Sequence, residues 1–352
     1  MKYLRKIFSS RFFKVLTFIF IAVLISITCI FAIVWKKLDL IQYDTETEAP
    51  TVTSPVERET VVDVEDDIYI ETSELIVAET EPDVTDYVHN ILVIGTDERS
   101  IDFSDNARSD CMILVSIDKQ NNSVKLVSFE RAIGVPILEG DLAGEDDLLT
   151  HIFRWGGADL LVKTIEHCFE IDIDHYVRLN FTSVQKLINT IGGIDITLTA
   201  AEAGAINEVF HDGNWVVLPG SNRLYGKKAL FFARLRKVDS DWKRVGRQRK
   251  VILAVVDKLK ESSLLTLFDL ADEVLPMIQT DLTKEEIVQL VLYAPSFLTS
   301  DFDEMTIPKQ GTYGDMPIRN NSYGFKVDYE INNDLLYRFL YEGASSEELL
   351  AE

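Results

Sequence analysis

Arginines and other polar side chains are concentrated in one short segment of this sequence, although the chain is acidic, with a formal net charge of −23. The segment contains Arg234, Arg236, Asp239, Asp241, Arg244, Arg247 and Gln248. Guanidinium groups this close together repel one another unless an anion lies between them, and the planar guanidinium fork binds two phosphate oxygens at once. The segment therefore predicts a phosphate or pyrophosphate site. The alternative is a solvated helix face on which arginines and carboxylates form ion pairs.

A second charged set surrounds three apolar runs earlier in the chain. Residues 90–95, 111–117 and 124–129 are each typical of a buried strand, and the turn-rich residues 118–123 join the last two into a hairpin. The charged residues next to the strand ends are Asp97, Arg99, Arg108, Asp110 and Arg131. If the first strand runs parallel to the third in one sheet, all five side chains lie at the same end of that sheet. The pattern therefore predicts one site built from separate strands.

The elements that would position these residues alternate between strands and helices. We predict helices at 157–169, 183–190, 227–236, 244–260, 264–278 and 284–293, and strands at 171–177, 194–198, 305–307 and 323–327. Ser183 is suited to cap the amino terminus of its helix. Such alternation, together with the hairpin, predicts an α/β fold with a mixed central β-sheet flanked by helices.

Two of the predicted helices would carry the downstream polar residues. Helix 227–236 would present Arg234 and Arg236 at its carboxyl end. Helix 244–260 would place Arg244, Arg247 and Gln248 on one face of its first turn, because residues three and four positions apart are neighbours on a helix.

The amino-terminal region divides the chain into four parts. Residues 15–35 form an apolar run of about 21 residues, which is long enough to cross a bilayer as one transmembrane helix. Basic residues are concentrated in 1–14, so the positive-inside rule predicts a cytoplasmic tail there and an extracytoplasmic remainder. Residues 36–86 are acidic and are predicted to be a disordered tether, and 87–352 to be the folded domain. A cleaved signal peptide is the alternative to the anchor.

Cysteine and histidine give no sign of a metal centre of their own. The chain has three cysteines, and no zinc-type spacing occurs among its cysteines and histidines. Cys111 and Cys168 lie in apolar patterns, which favours two buried thiols over a disulfide, although a disulfide between them stays open.

Six stretches, in this order, resemble the successive motifs of the LytR-CpsA-Psr family, which are membrane-anchored phosphotransferases of Gram-positive cell envelopes. The stretches are residues 90–99, 108–110, 174–180, 191–195, 226–236 and 244–250. The resemblance implies transfer of a glycopolymer, such as a teichoic acid or capsular polysaccharide, from a polyprenyl pyrophosphate carrier onto peptidoglycan. It implies a cell-membrane protein with one span and an extracytoplasmic catalytic domain, and no nucleic-acid partner.

The resemblance also assigns residues. It implies that Asp97 and Asp110 hold Mg²⁺, a hard cation that accepts one or two carboxylates together with substrate oxygens. The implied pyrophosphate-binding residues are Arg99, Arg108, Arg131, Arg234, Arg236, Arg244, Arg247 and Gln248, and the first five of these are the implied catalytic arginines. Helices 157–169 and 183–190 are candidates for lining a groove for the lipid, although such apolar faces are ordinarily core.

Two positions depart from the family pattern. Ala132 stands where the family usually has an aspartate after an arginine, and strand alternation would turn the nearby Glu130 away from that position. His151 is the one residue kept from a second motif. These departures leave a second hypothesis, a catalytically impaired protein that binds lipid-linked precursors or regulates envelope assembly.

Overall fold

A computed structural model of the protein describes residues 32, 34–44, 87–98, 103, 106–210, 216–236, 241–297, 300 and 302–351. Its strands are β1 (Gln42–Tyr43), β2 (Val88–Thr96), β3 (Ser109–Asp118), β4 (Ser123–Phe129), β5 (Gly134–Pro136), β6 (Asp146–Leu148), β7 (His175–Asn180), β8 (Ile194–Leu198), β9 (Gly220–Leu224), β10 (Ile278–Thr280), β11 (Phe302–Ile307), β12 (Tyr313–Ile318) and β13 (Ser322–Val327).

The helices follow the strands along the chain in the manner of an α/β protein. They are α1 (Leu149–Phe169), α2 (Phe181–Thr190), α3 (Ala200–Val209), α4 (Gly226–Ala233), α5 (Asp241–Lys260), α6 (Leu264–Val274), α7 (Lys284–Phe297), α8 (Tyr329–Leu340) and α9 (Ser346–Ala351). Short 3-10 turns lie at Leu275–Met277 and Arg319–Asn321, and residues 34–38 are also helical.

Among the described residues, seven strands form the central sheet, in the order β1-β10-β7-β2-β3-β4-β11. β3 is antiparallel to both β2 and β4, so β2 and β4 run in the same direction, and β7 is parallel to β2. The predicted mixed sheet and hairpin are confirmed. Because β2 and β4 end where β3 begins, this topology brings the flanking charged residues to one end of the sheet.

The two faces of the sheet are covered by different helices. Leu92 and Ile94 pack in the core that contains α1 and α8 residues, whereas Ile91 packs on the opposite face with Ile252 of α5 and Leu290 of α7. This division follows from the strand period, since successive side chains point to opposite faces. A separate core joins α2, α3, α4 and α5 to the β8–β9 hairpin.

Several predicted boundaries are wrong, two of them for a local reason. Helix α1 begins at Leu149 rather than at residue 157, because Gly157 adopts a φ of 67° and joins two helical segments across a kink. Helix α2 begins at Phe181, since Asn180 rather than Ser183 is its N-cap and Ser183 completes a capping box. Strand β7 covers 175–180 rather than 171–177, and α4 ends before Arg234.

The tether predicted for 36–86 is wrong for its first residues. Residues 34–38 are helical, Leu38 and Ile41 are buried, and β1 pairs with β10 as an edge strand. The acidic composition concealed this contact because β1 is only two residues long and its partner strand lies far away in the sequence. Residues 45–86, the cytoplasmic tail 1–14 and nearly all of the predicted span lie outside the described residues. Within the described part of the chain, none of the helices has the length and apolarity that a membrane crossing requires.

Candidate functional site: a cavity with an arginine-rich end

Charged residues from three adjacent strands meet at one end of the central sheet. Asp97 follows β2, Arg108 and Asp110 stand at the start of β3, and Arg131 follows β4. The register between β2 and β3 shifts between Gly95 and Thr96, which is the irregularity of a β-bulge. The predicted convergence of these four residues is confirmed by the cavity that they line together.

The four residues form two ion pairs. The Arg108 Nε donates to Asp97 Oδ2 at 3.2 Å, and the Arg108 backbone N–H donates to Asp97 Oδ1 at 3.0 Å. The Arg131 Nη1 donates to Asp110 Oδ1 at 2.9 Å. Both carboxylates therefore lie beside guanidinium groups at the edge of one cavity, and the site carries groups of both charges.

Helices α4 and α5 add the remaining polar groups. Arg234 and Arg236 follow α4 and are exposed, and the Arg234 guanidinium lies 4.1 Å from the centroid of the Phe181 ring. Arg244 is only 2% exposed, yet it lines the cavity from the first turn of α5. The Gln248 side chain donates to the Asp110 carbonyl at 3.1 Å, which fixes the start of β3 against α5.

The cavity has a volume of about 1200 Å³ and changes from an arginine-rich end to a mainly apolar wall. Along α5 its lining changes from Arg244 and Gln248 to Val251 and Ile252, a distance of about 12 Å at 1.5 Å per residue. Along β2 the lining changes from Asp97 to Val93. On the α4 side, Leu230 and Phe231 lie between the exposed Lys227 and the pair Arg234 and Arg236, and the exposed Glu208 of α3 also lines the cavity. The cavity therefore suits an amphiphile with an anionic end and a hydrocarbon end.

The apolar wall depends on a close approach between two helices. A Cβ atom on Gly226, the first residue of α4, would lie 2.4 Å from the Gln185 carbonyl oxygen of α2. Real Cβ atoms do not approach other atoms this closely, so only glycine, which has no Cβ, fits at this position. Gly226 therefore sets the distance between the two helices that line this side of the cavity.

Not every predicted site residue reaches the cavity. Arg247 is buried, its Nη1 lies 3.4 Å from Glu202 Oε1 of α3, and its Nη2 donates to the Leu235 carbonyl. The assignment of Arg247 to pyrophosphate binding is thus not supported by its position, since it ties α5 to α3. Arg99 and Asp239 lie outside the described residues, as does the side chain of Asp241.

The predicted lipid-lining helices divide in the same way. Helix α2 contributes Phe181, Val184 and Gln185 to the cavity, whereas α1 packs on the opposite face of the sheet and contributes no described residue. Sequence reasoning missed Val209 and Phe210 at the end of α3 and Leu230 and Phe231 of α4. For Leu230 and Phe231 the sequence did contain an indication, because the apolar residues of α4 extend beyond the helix face that packs in the core.

The remaining flagged residues lie apart from the charged end. Ala132 accepts a backbone hydrogen bond from Phe325 at 2.7 Å, and Glu130 is fully buried; neither is among the described cavity-lining residues. The His151 Nδ1 lies 2.8 Å from Asp147 Oδ1. Cys111 and Cys168 are free thiols, as favoured from sequence. Cys111 lines the cavity, and burial raises the pKa of its thiol to about 12, so it is poorly suited to act as a nucleophile.

The sequence profile of the LytR_cpsA_psr family matches residues 42–338, most of the 352-residue chain. The chain belongs to the LytR_cpsA_psr family. This confirms the resemblance drawn from the motifs, and the match includes β1, which the motifs did not cover.

This LytR_cpsA_psr protein is similar in sequence to proteins named as teichoic acid transferases. The polyisoprenyl-teichoic acid–peptidoglycan teichoic acid transferase TagT of Bacillus subtilis (strain 168) is 33% identical over 185 residues, which are 51% of this chain and 55% of the relative. The matched region thus spans little more than half of that relative.

Two solved structures of TagT share the fold. TagT bound to LIIa-WTA superposes with a TM-score of 0.58 at 25% identity, covering 79% of this chain and 96% of that chain. The LytR-CPS2A-psr family protein YwtF (TagT) with bound octaprenyl pyrophosphate lipid superposes with a TM-score of 0.55 at 24% identity, covering 75% and 95%. This LytR_cpsA_psr chain therefore has the mixed α/β fold of the family.

Proposed function

We propose that this protein transfers a glycopolymer phosphate from a polyprenyl pyrophosphate carrier onto peptidoglycan, with Mg²⁺ as cofactor. The observation that carries the proposal is the change from an arginine-rich end to an apolar wall within one cavity of about 1200 Å³. A lipid pyrophosphate has the same two parts in the same order. TagT, a relative in this family, is named as a teichoic acid transferase, and one of its structures holds octaprenyl pyrophosphate lipid.

The arginines would bind the pyrophosphate and stabilise its negative charge. Arg108, Arg131, Arg234, Arg236 and Arg244 line the same cavity, so a pyrophosphate there would meet several guanidinium groups. Arg244 is buried, and a charge removed from water interacts more strongly with a bound anion than an exposed one does. Phosphoryl transfer depends mainly on positioning and on stabilising charge on the phosphate and leaving-group oxygens, and arginines can do both.

The proposed step breaks and forms one phosphorus–oxygen bond each. An acceptor sugar hydroxyl attacks the phosphorus nearer the donor sugar, a phosphodiester forms, and polyprenyl phosphate leaves with the electrons of the broken bond. The hydroxyl proton passes to solvent. Arg234 and Arg236 are exposed at the end of the cavity, where they can stabilise the negative charge that develops on the leaving group.

Two carboxylates fit the proposed magnesium ion. Asp97 and Asp110 line the arginine-rich end, and their side chains are 24% and 15% exposed, so both can reach a cation in the cavity. Mg²⁺ accepts one or two carboxylates and completes its shell with water and phosphate oxygens. When bound, it would neutralise part of the pyrophosphate charge. Asp97 and Asp110 would hold it, in competition with their present pairing to Arg108 and Arg131.

The location is part of the proposal. An anchor at 15–35 and a cytoplasmic tail at 1–14 would place the domain outside the cytoplasm, at the membrane face where a lipid-linked glycan and peptidoglycan meet. Residues 34–44 pack against the domain, so the site would be held close to the membrane surface.

The test uses the full chain, because β1 belongs to the central sheet. The protein in liposomes is incubated with a lipid pyrophosphate-linked oligosaccharide, a peptidoglycan oligomer and Mg²⁺, and products are identified by mass spectrometry. We expect a phosphodiester-linked product that disappears with a chelator and in Asp97→Ala. Absence of product with the wild-type chain, under conditions where TagT gives product, would reject the transferase.

The second candidate is a binding protein that holds lipid-linked precursors without transferring them. The absence of a carboxyl group at Ala132 favours it, as does the burial of Glu130 away from the cavity. Tight binding of the lipid pyrophosphate without product would establish this function.

A further inference from the structure

Residues 34–44, which we call the strap, dock onto the edge of the central sheet. Leu38 and Ile41 are 5% and 7% exposed, and β1 runs parallel to β10. The Asp44 backbone N–H donates to the Thr280 carbonyl at 2.9 Å, and the Gln42 side chain donates to the Pro276 carbonyl at 2.8 Å. The strap is therefore held by apolar burial and by hydrogen bonds.

The last residue of the strap is hydrogen-bonded to two neighbouring strands. Asp44 Oδ2 accepts from the Tyr176 hydroxyl of β7 at 2.7 Å and lies 3.4 Å from the donating Gln279 Nε2 of β10. Burial raises the pKa of the Tyr176 phenol, as does its bond to Asp44, so Tyr176 stays a donor at neutral pH. Gln279 Oε1 in turn accepts from Arg178 Nη1 at 2.7 Å.

Strand register explains why these side chains meet. Gln42 is paired with Gln279, Gln279 with Arg178, and Arg178 with Ile94. Directly paired residues project from the same face of a sheet. Ile94 packs in the core with α1, so the side chains of Gln42, Gln279 and Arg178 form a row on the face of the sheet opposite the cavity.

Arg178 is the most constrained residue in the row. It is 2% exposed, its Nη2 donates to Glu98 Oε1 at 2.7 Å, and its guanidinium lies 4.5 Å from the centroids of both Phe103 and Phe153. Glu98 Oε2 also accepts from the Thr96 hydroxyl at 2.6 Å. A buried guanidinium held on several sides cannot move without breaking a charge-assisted bond.

Glu98 directly follows Asp97. The two side chains project in opposite directions, one into the Arg178 network and the other into the cavity. Fixing Glu98 therefore fixes the backbone that carries the Asp97 carboxylate. A displacement of about 1 Å at a reacting group can cost roughly a hundredfold in rate.

We propose that Arg178 and Glu98 are positioning residues for Asp97, and that docking of the strap sets their geometry through Asp44 and Gln279. The strap is thus a functional part of the site and not only a spacer after the anchor. This inference rests on the proposed function for its activity readout, because Asp97 is assigned there to the magnesium ion.

The test compares two charge-neutralising changes on the strap in the full chain. We call the hydrogen-bonded series Asp44, Gln279, Arg178 and Glu98 the relay. Asp44→Asn weakens its first bonds. Asp39→Asn, the matched control, removes an exposed ion pair between the strap and Lys284, which contributes little to docking because solvent screens it. Glu98→Gln weakens the other end of the relay by removing one of its two acceptor oxygens. The readouts are amide hydrogen exchange at residues 96–98, the Mg²⁺ concentration for half-maximal activity, and kcat.

We expect Asp44→Asn and Glu98→Gln to speed exchange at residues 96–98 and to raise the half-maximal Mg²⁺ concentration about tenfold, with Asp39→Asn matching wild type. Exchange at 96–98 unchanged in Asp44→Asn would overturn the proposal. So would an altered Mg²⁺ requirement shared equally by Asp39→Asn. Should the wild-type chain lack transferase activity, the proposed function fails, and the exchange measurement alone decides whether the relay exists.

Discussion

The Arg247 Nη1 lies 3.4 Å from Glu202 Oε1, and both side chains are buried, which connects α5 to α3 behind the cavity wall. Arg247 therefore differs from Arg244, which is one turn earlier and lines the cavity. The same helix thus carries one arginine for its packing and one for the site.

Removing Arg247 should destabilise the fold. Arg247→Ala removes the guanidinium that faces the buried Glu202 carboxylate. Breaking such a buried ion pair lowers the free energy of unfolding by about 3–5 kcal/mol. Urea unfolding measures the loss. The double change Arg247→Met with Glu202→Gln should recover part of it, because glutamine removes the unpaired charge and keeps an acceptor oxygen for the capping-box hydrogen bonds from Thr199. Normal stability combined with weakened lipid pyrophosphate binding would instead return Arg247 to the site.

Arg234 and Arg236 should each contribute to pyrophosphate affinity. A hydrogen bond to a charged group contributes about 1.5 kcal/mol or more, so Arg234→Ala and Arg236→Ala should each weaken binding roughly tenfold in calorimetry. The control is Arg223→Ala, since Arg223 is also exposed but pairs with Asp195 and does not line the cavity. If all three variants bind alike, the arginines near the end of α4 form only a solvated surface.

The carboxylates at the charged end should govern the dependence on Mg²⁺. Asp97→Ala and Asp110→Ala should abolish Mg²⁺-dependent binding of a lipid pyrophosphate, because the proposed ion loses a ligand. Asp195→Ala removes a carboxylate outside the cavity and should leave that dependence unchanged. Calorimetry with and without Mg²⁺ distinguishes the variants. Retained Mg²⁺ dependence in both cavity variants would reject the metal assignment.

Ala132→Asp should raise the transfer rate if the missing carboxylate limits it. Ala132 is partly exposed and follows Arg131 of the cavity, so a carboxyl group there is close in sequence to the charged end. The rate is compared with that of Ala132→Asn, which has nearly the same shape but cannot accept a proton readily. An equal rate in both variants would show that transfer by this chain does not depend on a carboxylate at 132.

The stability of the β7–β10–α7 region should depend on pH through His175. The Asp281 carboxylate raises the pKa of His175 above its usual 6.5, and Glu286 Oε1 lies 3.3 Å from its Nε2. A histidine with a raised folded-state pKa contributes stability that is complete below about pH 6.5 and is lost as the pH rises through the folded pKa.

The check is the Tm of wild type and His175→Gln between about pH 5.5 and pH 8.5. The gap between them should be widest at the acid end and close towards the alkaline end. His167→Gln, an exposed histidine in the last turn of α1, serves as the control. A gap that stays constant across this range would refute the assignment.

Much of the charged end was predictable because its signals are local. Apolar runs bounded by turn residues identified β2, β3 and β4, and hairpin geometry placed Asp97, Arg108, Asp110 and Arg131 at a common edge. The helix period located Arg244 and Gln248. The order of the motifs predicted the family, which the family match confirms.

Other features depend on contacts between residues far apart in sequence. The i, i+3 and i+4 spacing grouped Arg247 with Arg244 and Gln248, but only the packing of α3 against α5 showed that Arg247 faces Glu202. Composition predicted a disordered tether, yet Leu38 and Ile41 are buried and β1 pairs with β10, a strand about 240 residues later in the chain.

The sequence by itself determined which residue types are available and which strand ends carry them, because strand and helix periods are properties of short segments. Only the tertiary structure decided which helices wall the cavity and that the strap reaches Glu98 through Gln279 and Arg178. Those outcomes depend on which elements become neighbours, and that choice is made by the burial of the whole core rather than by any local pattern.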